Sequence, residues 1–177
     1  WLISTPFLLN SSTKAPAGAR LPWQELSRHG LFEALSAAAD ERWSGDLGVS
    51  ARGEPLGNVR IAAGKIAWAQ AVDQTENLGS FLWRIGRITR EQLERVRKLH
   101  NKYGGAKQLA TIMDEEGMIA RPVLRHCLKL HIEFALTSLF SRGAVDVART
   151  ELADAGAEQP FVFEPEDWIG LAEAARL

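Results

Sequence analysis

A stretch of 31 residues occurs twice in tandem in the middle of this 177-residue chain. Leu78, Leu82, Gly86, Ile88, Leu93, Val96 and His100 of the first copy recur as Leu109, Met113, Gly117, Ile119, Leu124, Cys127 and His131 of the second. A repeat of this length is one supersecondary unit used twice: neither copy can bury its apolar stripe alone, and each offers the other a packing surface. The middle of the chain is therefore expected to be two stacked units with one shared core.

Within each copy a helical run is expected to end near Gly86 or Gly117, since glycine takes the left-handed conformation of a helix C-terminus cheaply. A second helix is expected to begin just after Ile88 or Ile119. Thr89 with Gln92 has the spacing of a capping box, and Ile88 with Leu93 that of a hydrophobic staple. Pro122 falls in the first turn of the second copy's helix, where its missing N–H costs little. Each unit reads as a helical hairpin. The last helix is long, with Leu124, Leu128, Ile132, Leu136 and Leu139 as its core stripe.

The flanks have other periods. Residues 11–22 are rich in Ser, Pro, Gly and Ala and read as a linker or extended lead-in. From Trp23 to Ala39, Leu26, Leu31, Leu35 and Ala38 recur at helical spacing, with an interruption expected near Gly30. Asp46–Ser50 and Asn58–Ala62 alternate as strands do. Ala63-Gly64-Lys65 reads as a tight turn, and Ile66 with Trp68 continue the alternation beyond it. This predicts a three-stranded antiparallel meander with its apolar face under the preceding helix and the repeat. Val145 with Val147, and Phe161 with Phe163, predict a return to the sheet in one or two strands. Residues 151–159 form a polar connection, and Asp167 to Leu177 reads as a terminal helix.

The expected fold class is thus α+β: a small antiparallel sheet of three to five strands packed against tandem helical hairpins. After the lead-in of 1–22, residues 23–177 form one domain. Its parts are a helix plus meander over 30–71, the hairpin repeats over 77–141, and return strands with a terminal helix over 144–177.

Composition narrows the partners. The 21 basic and 22 acidic residues leave a net charge of −1, which gives no broad electrostatic footprint for nucleic acid or an anionic membrane. No apolar run approaches the roughly 20 residues of a spanning helix, so no membrane insertion is expected. The single cysteine, Cys127, excludes an intrachain disulfide and a thiolate zinc site, and fits a reducing cytoplasm. A chain that opens at Trp1 is expected to be a fragment of a longer protein.

Residues that could carry chemistry read as structural. His126 and His131 are five apart and point to different helix faces, while His100 and His131 are repeat equivalents, so no metal site is expected. Cys127 takes the place of Val96 and reads as a small buried apolar residue. Gly64-Lys65 has Val59 where a phosphate-binding loop needs glycine. Asp40-Glu41, Glu115-Glu116 and Glu164 with Glu166 lack a nearby base or nucleophile, so no catalytic residues are assigned. Arg84, Arg87, Arg90, Arg95, Arg97 and Lys98, continued by Lys102 and Lys107, spread around several helix faces, and Glu91 and Glu94 are spaced to pair with Arg95 and Lys98. Trp68 and Trp83 are expected between sheet and hairpin. Trp23 and Trp43 are the tryptophans expected to anchor a partner, with Arg84, Arg87 and Arg97 on the same interaction surface.

Ser44-Gly45 before the first strand, Ile61 followed by Gly64-Lys65-Ile66 and Ala69, Leu78-Gly79 opening the helical part, and the later SLFSRGAVDVA from Ser138 together resemble a PATAN-type domain, a family of bacterial signalling modules. The resemblance covers about residues 30–165. It implies an α+β module for protein–protein contact in two-component, motility or developmental regulation, without catalytic residues or cofactors.

The segment LGSFLWRIGRITREQLERVRKLH is also similar to half-motifs in the N-terminal domain of secretion and pilus ATPases, which bind cyclic di-GMP. That family opens each motif with Arg-Leu-Gly and ends it with Gln. Here the openings are Asn77-Leu78-Gly79 and Gln108-Leu109-Ala110, with His100 and His131 at the Gln positions. Asn and Gln cannot supply the charge and planar fork of arginine. The function expected is therefore a non-enzymatic, cytoplasmic interaction module of a bacterial signalling or motility complex, working through another protein or a homodimer. The alternative is a cyclic dinucleotide sensor using Asn77, Leu78, Gly79, His100, Gln108 and His131.

Overall fold

The computed structural model describes residues 30–103, 108–142, 145–151 and 159–164. The expected linker, the stretch of the first helix before Gly30, Trp23 and the terminal helix after Asp167 lie outside the described residues. Within them the chain is α+β, with five helices and a four-stranded antiparallel sheet in the order β3-β2-β1-β4.

Helix α1 (Leu31–Asp40) starts after Gly30 and buries Leu31, Ala34, Leu35 and Ala38, one face at three- and four-residue spacing. The meander follows as β1 (Gly45–Ala51), β2 (Glu54–Ala62) and β3 (Lys65–Ala71). Two-residue turns join the strands, Arg52-Gly53 with φ of 53° and 83° and Ala63-Gly64 with φ of 49° and 81°. Positive φ at both positions matches the right-handed twist of a hairpin. Gly64 has a second constraint, because a Cβ there would lie 2.9 Å from the carbonyl oxygen of Ala39. Its N–H donates to the Trp43 carbonyl at 2.8 Å, which ties the turn to the end of α1.

The register places Leu47 opposite Val59, Val59 opposite Ala69, and Val49 opposite Val147 of β4 (Asp146–Glu151). All are buried and form the inner face of the sheet. On the other face Arg60 donates two hydrogen bonds to the Asp46 carboxylate, at 2.8 and 2.9 Å. The sheet regains one full strand after the repeat. The expected Phe161–Phe163 strand reduces to a single bridge, in which Ile66 and Phe163 exchange two 2.8 Å backbone hydrogen bonds on the outer edge of β3. Pro160 precedes this segment, and proline offers no ladder donor.

The repeat forms two helical hairpins: α2 (Leu78–Arg84) with α3 (Arg90–Lys102), and α4 (Leu109–Glu115) with α5 (Arg121–Phe140). Their turns duplicate each other. Gly86 and Gly117 have φ of 69° and 60°. The next residue donates back across the turn in both, Arg87 to Leu82 at 2.8 Å and Met118 to Met113 at 3.0 Å. Thr89 and Gln92 make the reciprocal capping box. The stripe of α5 is fully buried, and one core runs from α1 through the sheet to both hairpins.

The ion pairs differ from the simple helix spacing. Arg95 reaches across to Glu116 at the end of α4, and Glu94 pairs with Arg90 at 3.4 Å, rather than Glu91 with Arg95 and Glu94 with Lys98. A four-residue pair on an exposed helix is worth a few tenths of a kcal/mol, so a carboxylate brought close by the neighbouring hairpin captures Arg95. No helix among the described residues is long and apolar enough to cross a membrane.

Candidate interaction surface

Helix α5 packs along β3, and residues 72–77, which lead from β3 into α2, cross its side. Three contacts fix that crossing. Asp73 accepts the Ser138 hydroxyl at 2.8 Å and the Arg142 guanidinium at 2.6 Å. Gln74 donates its amide to the His131 ring at 3.1 Å and to the His131 carbonyl at 3.2 Å. Glu76 accepts two bonds from Arg84 at 2.9 Å, and Arg84 in turn lies over the Phe81 ring at 5.4 Å.

His131 is the centre of this arrangement. It is 4 % exposed, the one buried polar or charged residue among the described residues. The Trp68 ring lies 5.1 Å from its ring centroid and the Phe81 ring 6.4 Å. Burial disfavours the imidazolium and pulls the His131 pKa down to about 4, against the opposing influence of Glu76; the ring is neutral at pH 7. The Ser138 hydroxyl, then Arg142, holds Asp73 below the usual carboxylate range. Arg84 does the same for Glu76.

Around this fixed seam stand large apolar side chains that no core claims. Phe134 is 70 % exposed, Val72 67 % and Trp83 50 %, with Ile85 beside them in sequence order at the end of α2. Phe134 lies three residues after His131 and four before Ser138, so on a helix it projects next to both. It therefore flanks the 72–81 segment that those residues anchor. Leu130, one turn before Phe134, is half-buried and continues the ridge.

No protein-family model, curated protein or solved structure matches the chain.

The residues singled out from sequence fall in several places. Arg84 stands on the seam. Arg87 is exposed at the Gly86 turn, close enough to Cys127 to act on its thiol, whose pKa burial pushes up. Arg97 sits on α3 and donates to Ser80 at 3.2 Å. Trp43 is half-buried against the core with the Arg149 guanidinium 5.2 Å above its ring. Trp83, expected between sheet and hairpin, is half exposed because Leu78, Gly79 and Leu82 take the buried face of α2.

The positions of the alternative ligand site differ in burial and in local role. Asn77 accepts the Ser80 N–H at 2.9 Å as the N-cap of α2. Leu78 and Gly79 are buried, and a Cβ on Gly79 would lie 2.8 Å from Leu93 Cδ1. His131 lies behind Trp68 and Phe81, while its repeat equivalent His100 is only half-buried. Gln108 is the N-cap residue of α4 and makes no side-chain cap. Among the described residues no group of three or more His, Cys, Asp or Glu could hold a metal.

Sequence reasoning missed Phe134, Val72 and Ile85. Phe134 did carry a signal: it stands two positions from Ile132 and Leu136, off the buried stripe, so a large aromatic falls on the polar side of an amphipathic helix.

Proposed function

We propose that this chain is a non-enzymatic interaction and regulatory module of a bacterial signalling or motility system, acting in the cytoplasm, with the outer ridge of α5 and the adjoining end of α2 as its docking surface. The observation that carries this reading is Phe134, an aromatic side chain 70 % exposed on a helix held in place by buried neighbours on either side. Aromatic residues on rigid elements are the commonest interface anchors, since they bury much area at little conformational cost. The likeness to PATAN-type modules in the strands and the first hairpin supplies the signalling context. The single buried cysteine fits a reducing compartment.

The cyclic dinucleotide alternative gains no comparable support, because Leu78, Gly79 and His131 are enclosed and Asn77 is occupied as a cap. A photo-crosslinking amino acid at position 134, expressed in the source cell, tests the proposal. The expected result is an adduct with a specific partner at 134 and none when the probe replaces Gln70, which is exposed on β3. Equal labelling at both positions, or none at 134, would remove the proposed surface.

A further inference from the structure

Arg149 on β4 is opposite Leu47 in the register, and Leu47 is fully buried. Opposite residues of an antiparallel pair share a face, so a charged side chain lies on the inner side of the sheet. Its guanidinium is held from two directions. The Trp43 ring supports it at 5.2 Å, and Glu41, just past the end of α1, takes Nη1 at 2.5 Å. Gly45 makes room for that support, since a Cβ there would fall 2.4 Å from Trp43 Cζ2. The side edge of the guanidinium is left over: Nε and Nη2 are both buried, and neither has a hydrogen-bond partner among the described residues. Arginine does not shed its charge, and buried donors without acceptors are destabilising. On the outer face of the same sheet Arg60 shows what this edge takes. Its Nε and Nη2 donate to the two carboxylate oxygens of Asp46 at 2.8 and 2.9 Å.

We propose that the Nε–Nη2 edge of Arg149 is a binding site for a small carboxylate, held by two parallel hydrogen bonds and backed by Trp43. The site is separate from the α5 surface and goes beyond the interaction reading. Charge selects the class of ligand. Glu41 already offsets the one positive charge of Arg149, and Glu151 is exposed two residues further along the same face of β4. A planar monoanion matches the fork of such a site, whereas a phosphate dianion meets too much negative charge. The same two carboxylates keep the affinity low, on the order of millimolar. The Glu41 side chain is 53 % exposed against 12 % for Arg149, so Glu41 is the wall that turns aside to admit the ligand.

Tryptophan emission of the full chain, titrated with sodium acetate at constant ionic strength, tests the site. A saturable change is expected in the native chain and none in Trp43→Phe, which keeps a ring but removes the reporter. Arg149→Lys keeps the charge without the forked edge and is expected to abolish the response. Glu41→Gln takes a competing negative charge from a half-exposed position and is expected to tighten acetate binding by about threefold or more. Sodium phosphate at the same ionic strength is expected to give no saturable change. No saturable response to acetate, an equal response to phosphate, a response retained in Trp43→Phe or Arg149→Lys, or weaker binding in Glu41→Gln would each overturn the proposal. The acetate–phosphate comparison and Glu41→Gln decide the matter even where Arg149→Lys does not fold.

Discussion

Gln74 and His131, 57 residues apart in sequence, are joined twice: the Gln74 amide donates to the imidazole ring and to the same residue's backbone carbonyl. One side chain thus sets both the ring and the helix that carries it against the β3–α2 connection. The ring sits where solvent does not reach, so its charge state is coupled to folding.

That coupling gives a pH dependence with a definite sign. The folded chain holds His131 at about 4, below the ordinary value of 6.5, because burial penalises the cation. Between these values the unfolded chain binds a proton that the folded one refuses. Stability is therefore full above about pH 6.5 and falls as pH drops through the window, by on the order of 3 kcal/mol at its lower end. The salt-bridged Asp73 and Glu76 also have lowered values, so their contribution is lost as pH falls below their ordinary values of 3.8 and 4.5. Urea unfolding at pH 7 and pH 5 should show the loss in the native chain and a much flatter response in His131→Leu. Equal slopes in the two would mean that the ring is not held neutral.

A double-mutant cycle separates the Gln74–His131 contact from simple packing. Gln74→Leu leaves the ring nitrogen and the His131 carbonyl without this donor, at a cost of about 1–3 kcal/mol. Adding His131→Leu removes the ring that needed it, so the combined loss should fall short of the sum of the single changes by more than about 0.5 kcal/mol. Chemical denaturation of the four chains measures this directly. Strict additivity would show that the two side chains do not sense each other.

The degree to which the fold was legible in the sequence follows the range of each interaction. The caps at Gly86, Gly117 and Thr89–Gln92 involve residues a few positions apart, and the local spacing alone foretold them. So did the α5 stripe and the three-stranded meander. The choice of β1 as partner for β4, the single Ile66–Phe163 bridge and the capture of Arg95 by Glu116 depend on which elements meet in space. No periodicity encodes that. Phe134 stands between these cases: its place off the apolar stripe is visible in the sequence, but its position beside the anchored 72–81 segment is not. Gln74 carried no signal at all, since nothing around it marks a polar residue that will be drawn against a helix 57 positions away.

The two hairpins should fail together. Leu82 and Met113 are repeat equivalents, and both are fully buried in the one core that runs through the hairpins. Replacing either by Ala removes comparable apolar volume and leaves a cavity, for a loss of about 2–5 kcal/mol. Because the units share a core, each variant should still unfold in a single transition when followed by tryptophan fluorescence and by circular dichroism. Separate transitions in Leu82→Ala, with the second hairpin persisting, would argue that the repeats are independent.

Two kinds of glycine distinguish conformational strain from close approach. At Gly86 and Gly117 an added Cβ would have nothing within 4 Å, but φ is positive at both. Alanine there should cost only the left-handed backbone, about 1 kcal/mol, and the two variants should match because their turns do. At Gly57 the reverse holds. Its φ is not in the left-handed region, yet a Cβ would sit 2.2 Å from the Gln70 carbonyl oxygen and 3.0 Å from the Ala71 Cα. Those are backbone atoms of the paired strand, which cannot turn aside as a side chain can. Gly57→Ala must push β2 and β3 apart where Gly57 faces Ala71, and should cost roughly 3 kcal/mol, in the range of overpacked cores. Thermal melts of the three variants should rank Gly57→Ala well below the other two. Equal melting temperatures for all three would show that the β2–β3 approach yields more easily than its geometry implies.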